Sequence, residues 1–366
     1  MNLSLDNVSK SVGASACVSD VSMTLASGSL NVLLGATLAG KTTLMRLMAG
    51  LDAPTSGRIL FNGKDVTGVD VRHRNVAMVY QQFINYPAMT VYENIASPLR
   101  VRGLASGEID KKVREAARLL RLAPMLDRLP LQLSGGQQQR TAIARALVKG
   151  ADLVLMDEPL ANLDYKLREE LREELPRIFE ATGAIFVYAT TEPSEALMLG
   201  GSTATLWQGR VTQFGRTSEV YRNPGDVLTA GVFSDPPLNT CAAQVKGDDT
   251  RIDGSGIDGS GIGGAGLFPG LADGSYTLGF RAHQLYLERP AAHALSFPAT
   301  VRVVEITGSE SFVHVEVAGH RWVALAPGVR RYEPGAKIEV HLDARELFAF
   351  AADGRTAYAP HHLMKA

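Results

Sequence analysis

The densest chemistry in the chain lies in GATLAGKTT, that is Gly35, Ala36, Thr37, Leu38, Ala39, Gly40, Lys41, Thr42 and Thr43. The spacing satisfies GxxxxGK[ST] and falls between a continuous apolar run, LNVLLG, and a helix-like run, KTTLMRLMAGL, where a phosphate loop belongs. Backbone N–H groups of such a loop surround phosphate, Lys41 neutralises its charge, and the Thr42 hydroxyl at a helix start offers a ligand for Mg²⁺. A second pair of groups, Asp157 and Glu158, ends the apolar run LVLMDEP. Adjacent acids at a strand end are often only solvated; beside a phosphate loop, one can hold a metal while the other polarises water. A third stretch, LSGGQQQR, offers Ser134, Gly135, Gly136 and Gln137 at a helix start, a further set of N–H groups for an anion. One phosphate loop is already present, so this second set is free to serve the nucleotide of another molecule.

These groups need a scaffold that brings strand ends together. Short apolar runs alternate with helical patterns, as in IDKKVREAARLLRLAPML and in YKLREELREELPRIFEAT between ADLVLMDEP and GAIFVYATT. Strands alternating with helices predict a mostly parallel sheet, which binds ligands at the carboxyl ends of its strands. Arg and Glu at spacings of three and four in KLREELREEL read as a solvated face with modest ion pairs. Beyond about residue 235 helical periodicity fades. Short alternating runs such as ATVRVVEITG, SFVHVEVAG and KIEVHLD then predict a small antiparallel barrel or sandwich, with Trp322 of HRWVALA in its core. DGSGIDGSGIGGAG, 253–266, reads as a flexible loop.

The 366 residues suggest two or three domains, and a formal charge of −1 with 20% charged residues gives no global attraction to nucleic acid or anionic membrane. The start MNLSLDNVSK has no leader pattern, and no apolar run reaches the roughly 18 residues of a membrane span, so a cytoplasmic location is expected. Cys17 and Cys241 match no metal spacing and read as free thiols.

Together with VYQQ at 79–82, MTVYENI at 89–95 and LANLD at 160–164, these motifs strongly resemble the ATP-binding subunits of ABC transporters over nearly the whole chain. GSE at 308–310 and LGFRAHQL at 278–285 make the tail similar to the OB-like regulatory domain of sugar-type importers. The resemblance implies an α/β P-loop nucleotide-binding domain over residues 1–235, with a helical subdomain at about 82–150, followed by a small all-β OB-like domain at 236–366. It implies ATP and Mg²⁺ as cofactors, with Thr42, Gln81 and Asp157 at the metal and Gln81 also sensing the γ-phosphate. Glu158 becomes the general base, Ser134 to Gln137 clasp ATP on the opposite subunit, and Asp164 lines the dimer seam. FINYPAMTVYENI becomes a groove for a helix of a membrane subunit. The implied partners are a second ABC ATPase, two permease subunits and, indirectly, a solute-binding protein, with no nucleic acid; the implied place is the inner face of the membrane.

Three positions depart from the pattern. The family carries a histidine at the γ-phosphate where YATTEP has Thr191, and a threonine hydroxyl is shorter, uncharged and no acid or base near pH 7. Losing such a contact costs about 2–4 kcal/mol in a transition state. The family's adenine-stacking aromatic is replaced by Val12, at roughly 1–3 kcal/mol, and Leu38 has no polar role inside the loop. All three belong to this subunit's own nucleotide site, whereas LSGGQ and LANLD, facing the partner's, are intact. The expectation is therefore an asymmetric heterodimer with a weakened own site, similar to one of the two unequal ATPases of bacterial glycerol importers. The alternatives are a homodimer tolerating Thr191, and a soluble ABC-type nucleotide sensor or ATPase uncoupled from transport.

Overall fold

The computed structural model describes all residues except 83, 162–167, 170, 173–174, 177–181, 248, 253–266, 292–293 and 361–366. Asp164 and the Gly-rich stretch 253–266 thus lie outside the described residues. The chain divides into two compact units, Met1–Ser218 and Glu219–Ala366.

In the first unit, β1 (Asn2–Val12), β2 (Ser15–Ala26), β4 (Ser56–Phe61) and β5 (Lys64–Asp65) form an antiparallel sheet in the order β2-β1-β4-β5. The main sheet has six strands: β3 (Leu30–Leu34), β6 (Val76–Val79), β7 (Leu153–Asp157), β8 (Ile185–Thr190), β9 (Ser202–Trp207) and β10 (Arg210–Arg216). Their order is β10-β9-β3-β8-β7-β6, parallel except for the β9–β10 hairpin. β7 and β8 are buried along their whole length, which is why they are continuous apolar runs rather than alternating ones.

α1 (Lys41–Ala49) packs Leu44, Leu47 and Met48 into one core with Leu33, Leu155, Ile185 and Val187, and stops at Gly50, whose N–H caps the Arg46 and Leu47 carbonyls. Burial of each such side chain is worth about 1.5–3 kcal/mol. Three further helices, α2 (Val91–Val101), α3 (Ser106–Leu119) and α4 (Gly135–Val148), pack together beside this sheet. Thr90 starts α2 with a capping box: its hydroxyl accepts from Glu93 N and the Glu93 carboxylate accepts from Thr90 N.

The second unit has two five-stranded sheets among the described residues, with every strand pair antiparallel. One runs through β11 (Asn239–Lys246), β12 (Asp249–Ile252), β13 (Gly274–Phe280), β19 (Phe348–Phe350) and β20 (Thr356–Tyr358). The other runs through β14 (Leu285–Tyr286), β15 (Leu295–Ile306), β16 (Glu310–Val317), β17 (His320–Pro327) and β18 (Lys337–Leu342). Strict alternation of buried and exposed positions along β11 shows one face turned to the core. Trp322 sits in that core, edge-on to Phe280 and Phe297 at 5.0 and 5.5 Å between centroids, with its indole N–H donating to Thr240 O. The core placement expected for Trp322 is the observed one.

Candidate functional site

Four neighbouring strands of the main sheet end at one edge, and each delivers part of a single cluster. β3 runs into the loop Gly35–Gly40; β8 ends at Thr190; β7 ends at Asp157; β6 leads to Gln81. The loop is held tight by its first and last glycines. A Cβ on Gly35 would stand 2.6 Å from Leu206 O, and one on Gly40, at φ 102°, would stand 2.7 Å from Cys17 O. Side chains there would push the loop off the strands beneath it, so glycine is required at both ends.

Ala36, Thr37 and Leu38 at the top of the loop are exposed, while Ala39 turns inward. Leu38 is 96% exposed in a left-handed conformation, φ 68°.

Lys41 is 5% exposed and folds back along the loop, its Nζ donating to Gly35 O at 2.6 Å and Ala36 O at 3.1 Å. Glu158 Oε1 lies 3.6 Å from the same ammonium, and Gln81 Nε2 donates to Glu158 Oε2 at 2.9 Å. Burial pulls the Lys41 ammonium below its ordinary value, opposed by the carboxylates of Glu158 and Asp157. Thr42 Oγ1 donates to Asp157 Oδ2 at 2.7 Å, and burial pushes the Asp157 carboxyl up, opposed by that hydroxyl and by Lys41. Thr43 continues the first turn of α1. Glu158 has φ 46°, a left-handed backbone uncommon for a side-chain-bearing residue and of the kind that recurs at active sites.

The donor set fits a triphosphate and a hard cation. A narrow loop, a buried ammonium with only carbonyls and one carboxylate as partners, and a hydroxyl–carboxylate pair supply too few oxygens to hold a divalent ion alone and would share it with phosphates. Thr191 follows the end of β8 and is exposed; Val12, at the end of β1, is 64% exposed.

Ser134 caps α4, its hydroxyl accepting from Gln137 N while Gln137 Oε1 accepts from Ser134 N. Gly135 and Gly136 are the first two helical residues, so their N–H groups have no carbonyl partner within the helix. One turn on, the buried Gln139 donates from Nε2 to Pro159 O, joining this helix to the loop that carries Glu158.

The segment after Gln81 borders a cavity of about 350 Å³ lined by Tyr86, Ser97, Val101, Arg102, Arg145 and Lys149, among others. The fully buried Asn94 organises it: its Nδ2 donates to Tyr86 O, Met89 O and Thr90 O, and its Oδ1 accepts from Tyr86 N and Arg145.

One sequence expectation fails. Arg172 is not on a solvated face: it is 8% exposed, and besides Glu169 it pairs with Glu192 and Glu195, 20 and 23 positions on. Glu195, 4% exposed, also accepts from the hydroxyls of Tyr188 and Thr190. Short-range charge spacing could not reveal this cluster, because its partners lie on another strand and helix.

A family model described as ABC transporter matches residues 18–161, and one described as TOBE domain matches residues 278–350. The chain is 37% identical to the sn-glycerol-3-phosphate import ATP-binding protein UgpC of Cupriavidus necator, covering 96% of this chain and 97% of that one. It is 35% identical to the trehalose/maltose import ATP-binding protein MalK of Thermococcus litoralis, covering 94% and 96%. A solved dimeric ATP-binding cassette in a post-hydrolysis state with ADP and Pi matches with a TM-score of 0.54 and 28% identity, over 59% of this chain and 98% of that chain.

Proposed function

The chain belongs to the family of ABC transporter ATP-binding subunits, and on that footing we propose that it is the ATP-hydrolysing motor of an importer for a sugar, a polyol or a glycerol phosphate. ATP hydrolysis coupled to solute import is the work of such subunits, and the OB-like second unit matches the TOBE domain. The observation that carries the reading is the cluster of Lys41, Thr42, Gln81, Asp157 and Glu158 on one sheet edge.

Each side chain has a task its surroundings suit. Lys41, held at low dielectric, would exchange its loop carbonyls for phosphate oxygens. Thr42, Asp157 and Gln81 would hold Mg²⁺, which supplies charge neutralisation at the β- and γ-phosphates. Glu158 would accept the proton of an attacking water, with Gln81 steadying its second oxygen at 2.9 Å. Ser134, Gly135, Gly136 and Gln137 would face the nucleotide of a second ATPase subunit, and Asp164 the seam between the two. The cavity bordered by Tyr86 and Val101 would receive a helix of a permease subunit. No helix among the described residues is long and apolar enough to cross a membrane, in keeping with a subunit held at the inner face by its permeases.

The partner ATPase in this proposal is a different polypeptide, and this chain's own site is the slower of two. Three features support the asymmetry: Thr191 brings a short neutral side chain to the end of β8, Val12 offers no π-face, and Leu38 replaces a small residue at a left-handed position. The test is co-purification with candidate partner ATPases, followed by Glu158→Gln here and the equivalent change there. The partner's change is expected to be the more damaging, and Thr191→His to raise turnover at this site. Vigorous hydrolysis by dimers of this chain alone, unaffected by Thr191→His, would establish a homodimer instead.

A further inference from the structure

The end of β8 is a wall shared by the two halves of the site. Gly35 N, the first amide of the phosphate loop, donates to Thr190 O at 3.3 Å, and Glu158 N donates to Ala189 O at 3.0 Å. Any shift of residues 189–191 therefore moves the loop and the acid together. The turn beyond Thr190 is joined to the helix that follows by one backbone bond, Ala196 N to Glu192 O at 3.4 Å. It is fixed from below by side chains: Thr190 Oγ1 accepts from Glu192 N at 3.0 Å, closing a tight turn with Thr191 at its apex, and donates to Glu195 Oε2 at 2.6 Å.

Glu195 is itself immobilised. Its Oε2 accepts a second hydroxyl, from Tyr188 at 3.0 Å, and its Oε1 accepts from Arg172 Nη2 at 2.9 Å. Arg172 also holds the Glu192 carboxylate, which lies on the same turn, at 2.9 Å. Arg168 reaches from Glu192 Oε1 at 3.1 Å to Ala161 O at 3.3 Å, and Ala161 N donates to Glu158 O. A buried carboxylate–guanidinium pair is a poor source of net stability, because desolvation offsets most of its attraction. It is a good source of fixed geometry, because donors from three residues, Arg172, Tyr188 and Thr190, converge on the one Glu195 carboxylate.

We propose that Glu195, acting through the Thr190 hydroxyl and backed by Arg172, is a positioning residue for ATP hydrolysis: it locks the strand end that sets Glu158 and the Thr191 turn against the phosphate loop. The inference rests on the reading of Glu158 as the general base. ATP binding depends on Lys41 and the loop amides, whereas the hydrolytic step depends on where Glu158 sits relative to them. Loosening the wall therefore slows the step more than it weakens binding.

The decisive variant is Thr190→Val, which keeps the shape of the side chain and removes both hydroxyl bonds; Thr190→Ser is the conservative control and Glu195→Gln the second probe. The measurement is single-turnover hydrolysis by the complete ATPase dimer, with any non-identical partner carrying Gln for its own catalytic acid so that only this chain's site reacts. Thr190→Val and Glu195→Gln are expected to slow hydrolysis by about 10- to 100-fold with the ATP dissociation constant unchanged, and Thr190→Ser to restore the rate. A lowered thermal midpoint with rate and affinity both unchanged would make the network merely structural and overturn the proposal. So would an equal loss in affinity and rate, or a parent site with no turnover at all. Glu158→Gln is run in parallel: full activity there would sink the general-base reading, while the Thr190 series would still report whether the wall governs the rate.

Discussion

Thr42 Oγ1 donates a 2.7 Å hydrogen bond to Asp157 Oδ2, tying the first turn of α1 to the end of β7. The bond holds a hydroxyl and a carboxylate as a ready pair for a cation, and burial of that carboxylate has a cost that shows in pH. Burial raises the Asp157 carboxyl above its ordinary value, about 3.9 in an open chain. The folded chain then binds this proton more tightly than the unfolded one, so ionising Asp157 lowers stability as pH climbs through that raised value. Asp157→Asn is expected to raise the thermal midpoint at pH 7, with the gain shrinking as pH falls through that raised value toward the ordinary carboxylate range and absent below it, while Mg²⁺-dependent turnover is lost. Scanning calorimetry at several pH values checks this; a parent more stable than the variant at pH 7 contradicts it.

Lys41 offers a cleaner separation of binding from folding. Its ammonium is buried, pulled down by desolvation, and bound only to two loop carbonyls and a carboxylate. Lys41→Met removes a desolvated charge, so the fold should not weaken. ATP affinity should drop by about 10- to 100-fold, the equivalent of one charge-assisted bond at roughly 1.5–3 kcal/mol. Titration calorimetry with Mg-ATP reads this directly, and an unchanged affinity would remove Lys41 from the phosphates.

Glu158→Gln keeps the volume and the acceptor for Gln81 but cannot take a proton. Turnover at this site should fall by roughly 10²–10⁴ with ATP still bound. Light scattering in the presence of Mg-ATP should then find a longer-lived dimer than the parent forms. Loss of ATP binding instead would mean that Glu158 acts on the loop through Lys41 and not on water.

Much of this site was legible in the sequence because its parts are local. The run LNVLLG followed by GATLAGKTT announces a strand, a loop and a helix start, and each of Gly35, Gly40 and Lys41 stands where that order requires. LVLMDEP placed its acids at a strand end for the same reason. Two features were not legible. The antiparallel sheet of β1, β2, β4 and β5 depends on pairings such as Leu5 with Ile59, 54 positions apart, and alternation alone does not name a partner. The Arg172–Glu195 pair was hidden because a charged pattern at helical spacing looks the same whether its outer face meets water or a neighbouring helix.

In the second unit, Trp322 tests whether the space between its strands is a packed core or a binding edge. Its ring is 1% exposed and meets Phe280 and Phe297 edge-on, and its N–H satisfies Thr240 O. Trp322→Ala should cost about 3–5 kcal/mol, and Trp322→Phe less, since it keeps one aromatic ring in the core and gives up a single hydrogen bond worth roughly 0.5–1.5 kcal/mol. Urea unfolding of the full chain followed by circular dichroism measures both. Equal stability of all three proteins would mean the ring is not part of the core.

Leu38 separates backbone strain from side-chain contact. A left-handed backbone costs a residue with a Cβ roughly 1–2 kcal/mol, and Leu38, at φ 68°, is 96% exposed, so its side chain has almost no packing to lose. Glycine relieves the strain but adds about 0.5–1 kcal/mol of chain entropy to the unfolded state. The net for Leu38→Gly is a gain of between about 0 and 1.5 kcal/mol, a rise of at most roughly 3–6 °C in a unit of this size. Leu38→Ala removes the exposed side chain but keeps the Cβ, so it should leave the midpoint near the parent's. If alanine stabilises as much as glycine does, exposure of the leucine and not the backbone is what the loop suffers from. If glycine destabilises, the leucine makes a contact that its exposure in this chain does not reveal.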